Sequence, residues 1–151
     1  MYFTRTDMIT QIRPFEIQDK DSVIQLWKDC DLVVPWNNPD DDIQRKLKVQ
    51  PELFLVMCCT DQIIATVMAG YDGHRGWINY LAVHPQHRQS GRGRQMVNKV
   101  EKLLLEKGCP KINLQVRSTN VEVIQFYRNI GFKTDDVVSL GKRLQFDKYS
   151  S

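Results

Sequence analysis

The sequence predicts a single α/β domain spanning residues 1–151, a mixed and mostly antiparallel sheet flanked by helices in the order β α α β β β α β α β β. Three observations predict it. Short apolar or alternating runs read as strands, apolar stripes at spacings of three and four read as helices, and a strand–glycine loop–helix–strand succession in the second half requires a parallel crossover. The chain has 151 residues, 42% hydrophobic and 26% charged, so one core can bury roughly two thirds of its surface without metal or disulfide support.

Residues 8–15 carry Ile9 and Ile12 and then Pro14, an edge strand closed by proline. Asp19 is placed as an N-cap, and Val23, Ile24, Leu26 and Trp27 form the apolar stripe of a first helix reaching Cys30. The stretch 31–39, with Pro35, Trp36, Asn37, Asn38 and Pro39, is a loop, and Asp40, Asp41 and Asp42 give a negative first turn to a second helix ending at Lys48. Residues 53–59 and 62–71 are strands joined by the tight turn Thr60–Asp61, and residues 77–83 form a fourth strand after the turn 72–76. Met96, Val97, Val100, Leu103 and Leu104 mark a third helix over 91–107, stopped by Gly108 and Pro110. Residues 111–117 alternate as a fifth strand, 121–130 form a helix ended by Gly131, and 137–144 are expected to make a last hairpin.

Composition narrows the function. No run approaches the roughly 18 apolar residues of a membrane span, and the opening residues 1–7 lack the apolar stretch of a signal peptide, so a cytoplasmic protein is expected. Cys30, Cys58, Cys59 and Cys109 lack CxxC spacing, and Cys58 and Cys59 should face opposite sides of a strand. Buried free thiols are therefore expected, with no metal. Charge is uneven: nine acids face five bases over 16–52, a formal −4, whereas seven bases face two acids over 84–111, a formal +5. Two solvated faces would explain this, and so would a cation pocket beside a polyanion pocket. Beyond charge there is no nucleic-acid signature, so no nucleic-acid partner is expected.

The strongest local signal runs from Leu81, Ala82 and Val83 through Arg88, Gln89, Ser90, Gly91, Arg92, Gly93 and Arg94, between a strand and a helix. Glycines allow close backbone approach, and free N–H groups at a helix start, with the positive end of its dipole, make a pyrophosphate cradle ringed here by three arginines. No Lys-Ser or Lys-Thr follows the glycines, which excludes a P-loop, and the missing third glycine excludes a dinucleotide fingerprint.

This segment resembles motif A of the GCN5-related N-acetyltransferases (GNAT), matched by Arg88, Gly91 and Gly93. Residues 120–132, with Asn120, the pair Phe126–Tyr127 and Gly131–Phe132, resemble motif B, and the element order is also that of the family. Segments 36–47 and 71–76 are most similar to a bacterial subgroup named YpeA, and more distantly to ribosomal-protein N-terminal acetyltransferases.

The resemblance implies acetyl transfer from acetyl-CoA to an amine of a small molecule or a protein N-terminus, by direct attack in a ternary complex. The pantetheine arm would pair with the backbone of Leu81, Ala82 and Val83, one of whose N–H groups would stabilise the oxyanion. Residues 88–94 would hold the pyrophosphate, with the +5 segment facing the roughly four negative charges of the nucleotide end. Tyr127 would be the general acid, its reference pKa near 10 close to that of a thiol near 8.5, and Asn120 would orient pantetheine or water. Phe126 and Tyr127 lie about 100° apart on a helix, so one can face the core and the other the cleft.

One position departs from the pattern. Ribosomal-type relatives carry a general-base glutamate five residues before the motif B asparagine; here stands Gln115, which cannot accept that proton. Neutralising a lysine-type amine at pH 7 costs about 4.6 kcal/mol and an α-amine about 1.4 kcal/mol, so either the acceptor is weakly basic or another group serves as base. Asp72, His74 and Asp40 to Asp42 are the candidates, each with an ordinary turn or cap role as its alternative. Trp36, with Asn37, would wall the acceptor site, or else pack in the core or as a lid. An acyl-CoA-binding sensor with little turnover is the competing function, and the sequence is compatible with either a monomer or a homodimer.

Overall fold

A computed structural model describes residues 9–146. Its single sheet has the order β1 (Thr10–Pro14), β2 (Phe54–Cys59), β3 (Gln62–Tyr71), β4 (Gly76–Val83) and β5 (Ile112–Asn113). The first four strands pair antiparallel and β5 joins β4 in parallel, as the sequence requires. Four helices complete it: α1 (Lys20–Asp29), α2 (Pro39–Leu47), α3 (Arg92–Glu106) and α4 (Val121–Asn129).

Period-two patterning builds a core on each face of the sheet. Along β2, Leu55, Met57 and Cys59 turn toward Met96, Val97, Val100 and Leu104 of α3. Phe54 and Val56 turn the other way, toward Val23, Leu26 and Trp27 of α1 and Ile43 of α2. Cys58 and Cys59 fall in opposite clusters, as alternation demands. All four cysteines are free, but only Cys59 and Cys109 are buried; Cys30, at the end of α1, and Cys58, on β2, are half-buried.

Asp19 does not cap α1 with its side chain. Its carboxylate accepts instead from the Glu16 amide at 2.8 Å and from Arg13 at 2.7 and 3.0 Å, because a 3₁₀ turn at 17–19 intervenes between β1 and the helix. The cap of α2 follows its chemistry: Asn38 accepts from the Asp40 and Asp41 amides, with Pro39 at the first helical position.

Two expectations fail, and they fail together. The fifth strand shrinks from 111–117 to Ile112–Asn113, and no hairpin forms among residues 133–146. The physical reason lies in β4. Thr66 pairs with Ala82 but Met68 pairs with Asn79, so Val67 alone faces both Tyr80 and Leu81. This bulge turns β4 away from β5 after the pairs Gly76–Ile112 and Trp77–Asn113. The last segment then lies along β5 through side chains rather than a ladder: Asp135 accepts from Lys111 and Asn113, and Gln115 donates to Ser139. Val137, Val138, Leu140 and Leu144 remain exposed.

Candidate active site

The bulge is the centre of the site. Tyr80 sits at φ 52°, a left-handed conformation that costs a bulky residue energy and persists only when its surroundings fix it. Three contacts fix it. Its ring stacks on Trp27 with centroids 3.9 Å apart, its hydroxyl donates to Asp42 Oδ2 at 2.5 Å, and its carbonyl accepts from Thr66 Oγ1 at 3.0 Å. Thr66 is itself held by Trp27 Nε1 at 2.9 Å, with both residues fully buried. Helices α1 and α2 thus set the backbone direction of Leu81, Ala82 and Val83 where β4 parts from β5.

Val83 gathers the next groups. Its carbonyl accepts from Arg88 Nε at 3.0 Å and from the Cys30 thiol at 3.4 Å, so the side chain of Arg88 ties the loop back to the strand end. Burial pushes the Cys30 thiol up, opposed by Arg88 beside it. Gln89 at φ 62° and Gly91 at φ 78° then turn the chain into α3, and Ser90 Oγ donates to the His87 carbonyl at 2.6 Å.

No side chain caps α3. Its first-turn N–H groups, at Arg92, Gly93 and Arg94, therefore face outward with the positive end of the helix dipole behind them. A Cβ on Gly91 would meet nothing within 4 Å, so that position is needed for its conformation. Gly93 is needed for space, since a Cβ there would lie 3.1 Å from Phe126 Cζ and 3.3 Å from Cε2. Arg92 Nε is buried without a hydrogen-bond partner among the described residues, an orphan donor beside an uncapped helix start. Open amides, a dipole and an unsatisfied guanidinium nitrogen together fit a diphosphate.

Helix α4 packs both members of its aromatic pair against the α3 side of the sheet. Phe126, partly buried, packs across Gly93, and Tyr127 is buried, wedged edge-on between Phe126 and Phe132 at centroid distances of 5.1 and 5.4 Å. Tyr127 also lines a cavity of about 1010 Å³ shared with Leu114, Gln115 and Val116, on the β5 side of the cleft. Burial pushes its phenol well above the ordinary value. Asn120 stands exposed at the start of α4, its side chain not used as a cap.

The base candidates separate. Asp72 is absorbed by its turn: Oδ1 accepts from the His74 and Arg75 amides at 2.7 Å each and Oδ2 from Trp77 Nε1, which holds the carboxyl below its usual range. Asp40 lies 3.5 Å from Lys20, and Asp42 is bonded to Arg45 and Tyr80. Asp42 is thus the candidate bonded to the bulge of β4, whereas Asp72 meets the strand at its start, through Trp77. Sequence reasoning missed Tyr80 and Thr66 altogether. An apolar strand pattern carries no sign of a bulge when the extra residue is neither glycine nor proline.

The sequence profile of the Acetyltransferase (GNAT) family matches residues 20–132, spanning β4, the glycine loop and α4 together. The chain belongs to the GNAT family. An acetyltransferase of Yersinia pestis (strain Pestoides F) is 47% identical over 138 residues, covering 91% of this chain and 98% of the relative. Among solved GNAT folds, the ribosomal-protein-S18-alanine N-acetyltransferase of Escherichia coli superposes with a TM-score of 0.69 at 19% identity, covering 83% of this chain and 78% of that one. The PaiA N-acetyltransferase of Thermoplasma acidophilum, solved with coenzyme A, gives 0.70 at 19% identity over 87% and 94%. This GNAT protein is an acetyltransferase, and no described helix is long and apolar enough to cross a membrane.

Proposed function

We propose that the protein transfers the acetyl group of acetyl-CoA to an amine by direct attack in a ternary complex. The observation that carries this reading is the bulge at Tyr80–Leu81, which opens the strand edge within reach of an uncapped helix start. The first-turn amides of α3 at Arg92, Gly93 and Arg94, with Arg88, Gln89, Ser90 and Gly91, hold the pyrophosphate. The backbone of Leu81, Ala82 and Val83 holds the pantetheine arm, and an N–H there receives the oxyanion. Asn120 orients the arm or a water beside it.

In the chemical step the amine lone pair forms the new C–N bond, the C–S bond breaks, and its electron pair leaves on sulfur. Tyr127 Oη gives the sulfur a proton and regains one from solvent, while the nitrogen loses a proton to water or to a base. The raised phenol is always protonated at neutral pH, so the donor is always loaded. It is also a weaker acid than free tyrosine, further from the thiol near 8.5 than the reference values place it, so the transfer to sulfur is uphill and late, drawn by the charge that develops there. The residue-by-residue assignment of Gln115 leaves no carboxylate at the usual base position, and its amide is bonded to Ser139. That favours an acceptor amine of low pKa, such as an α-amine.

The same amide supports a second reading, an acyl-CoA sensor with little turnover. Calorimetric titration with coenzyme A, followed by thiol release from acetyl-CoA across a panel of amines, decides. Binding with amine-dependent release supports the transferase; binding without release across the panel supports the sensor; no binding removes both.

A further inference from the structure

The cleft has a mouth that the proposed mechanism does not use. Beyond the pair Trp77–Asn113 the pairing of β4 with β5 ends, and the loop between α1 and α2 meets the residues that follow β5. Arg117 reaches this loop from the β5 side, its guanidinium carbon 4.7 Å from the centre of the Trp36 ring. Arg143 reaches it from the last segment, donating from Nη2 to Asn37 Oδ1 at 2.9 Å and from Nη1 to the Gln145 carbonyl at 3.4 Å. Neither guanidinium forms an ion pair with a carboxylate among the described residues. The nearby helix α2 does not supply one from Asp40 or Asp42, which are bonded to Lys20, Arg45 and Tyr80. Trp36 is 47% exposed, so its face is available to a ligand as well as to Arg117.

Two guanidiniums brought onto adjacent residues of one loop, with neutral partners only, have the chemistry that binds a carboxylate, each offering its own N–H fork. We propose that Arg117 and Arg143 bind a carboxylate carried by the acceptor, with Trp36 covering its apolar stem. The acceptor is then an amine that is also a carboxylic acid, an amino acid or an acidic peptide, rather than a polyamine or an aminoglycoside. This rests on the transferase reading for its amine, but the anion site can be measured without turnover.

Glutarate and its diamine counterpart of equal length, cadaverine, are titrated by calorimetry into the protein saturated with coenzyme A, which keeps glutarate off the pyrophosphate cradle. Glutarate binds and cadaverine does not, and R117Q and R143Q each weaken glutarate about tenfold, as expected for one charge-assisted hydrogen-bonding partner. In turnover, L-glutamate and a glutamyl peptide test the two sources of the carboxylate, each against its amide; the preference for acid over amide falls by a similar factor in both variants. A residue that merely latched the loop would lower the rates of acid and amide alike. Should R117Q fail to fold, R117K keeps the charge and loses the fork, and is expected to weaken glutarate too. Equal glutarate affinity in the parent and the folded variants overturns the proposal, and so does binding of cadaverine in preference to glutarate. If coenzyme A itself does not bind, the transferase reading falls, and the glutarate titration of the free protein still judges the anion site.

Discussion

Replacing Thr66 by valine removes one oxygen and tests how the bulge is held. The side chain is nearly isosteric and fully buried, so no cavity opens. What is lost is a relay: Trp27 Nε1 donates to Thr66 Oγ1 at 2.9 Å, and Thr66 Oγ1 donates to the Tyr80 carbonyl at 3.0 Å. Both outer groups then lose this hydrogen bond, and each loss costs about 1–3 kcal/mol. Allowing for partial relaxation, T66V is expected to lose about 2–4 kcal/mol, roughly 5–15 °C in Tm for a chain of this size. T66S keeps both bonds and loses one buried methyl, about 1 kcal/mol. Equilibrium urea unfolding measures the pair. Because the freed carbonyl belongs to the residue held at φ 52°, T66V should also weaken coenzyme A binding in calorimetry, whereas T66S should not. A T66V protein within 0.5 kcal/mol of the parent on the scale of ordinary surface substitutions would refute the relay as the element that holds Tyr80.

Gly93→Ala drives a methyl to within 3.1 Å of the Phe126 ring and should cost about 1–3 kcal/mol by urea unfolding, with part of the loss restored when Phe126 is shortened to leucine in the same chain. Tyr127→Phe removes a hydroxyl that carries no hydrogen bond among the described residues, so Tm should stay within a few degrees while turnover falls by about 10² or more and coenzyme A affinity holds; an unchanged kcat removes Tyr127 from the acid role. The Asp19 carboxyl is held below its usual range by Arg13 and the Glu16 amide, so its stabilising effect is complete above the ordinary carboxylate pKa and is lost as the pH falls through the lowered value. Asp19→Asn should therefore cost about 1–2 kcal/mol at pH 7 and progressively less in acid, a convergence that unfolding curves at pH 7 and pH 3 would reveal or deny.

Much of this architecture is legible in the sequence because its signals are local. Periodicity marks α1 and α3, Gly108 and Gly131 stop their helices at φ 83° and 104°, and the strand, glycine loop and helix succession dictates the parallel partner of β4. The proposed pyrophosphate cradle is legible for the same reason, since glycines and arginines at a helix start are contiguous in the chain. The bulge is not. It depends on Trp27, Asp42 and Thr66, residues from three other elements, and on a tyrosine whose left-handed conformation no propensity foretells. The apolar pattern of residues 137–144 suggests a hairpin, but such a pattern states only that a segment can pair, and an edge must be presented for it to do so.

That dependence has a consequence for how the two faces of the sheet divide labour. The cluster under α3 carries Met96, Val100 and Leu104 and fixes where the helix start lies relative to the strand end. The opposite cluster, under α1 and α2, carries Trp27, Ile43 and Phe54 and fixes the direction of the strand backbone through Tyr80. On the proposed function, anion binding and carbonyl orientation are thus set by different cores. Enlarging or shrinking a side chain under α3 should move coenzyme A affinity first, whereas a change beneath Trp27 should move turnover at nearly constant affinity, because the strand edge can be misaimed while the diphosphate stays held. Val100→Ala and Phe54→Leu offer the comparison, each read by calorimetry for coenzyme A and by kcat for acetyl transfer. If both variants shifted the two quantities in the same ratio, the sheet would be acting as one body and the two faces could not be assigned separate roles.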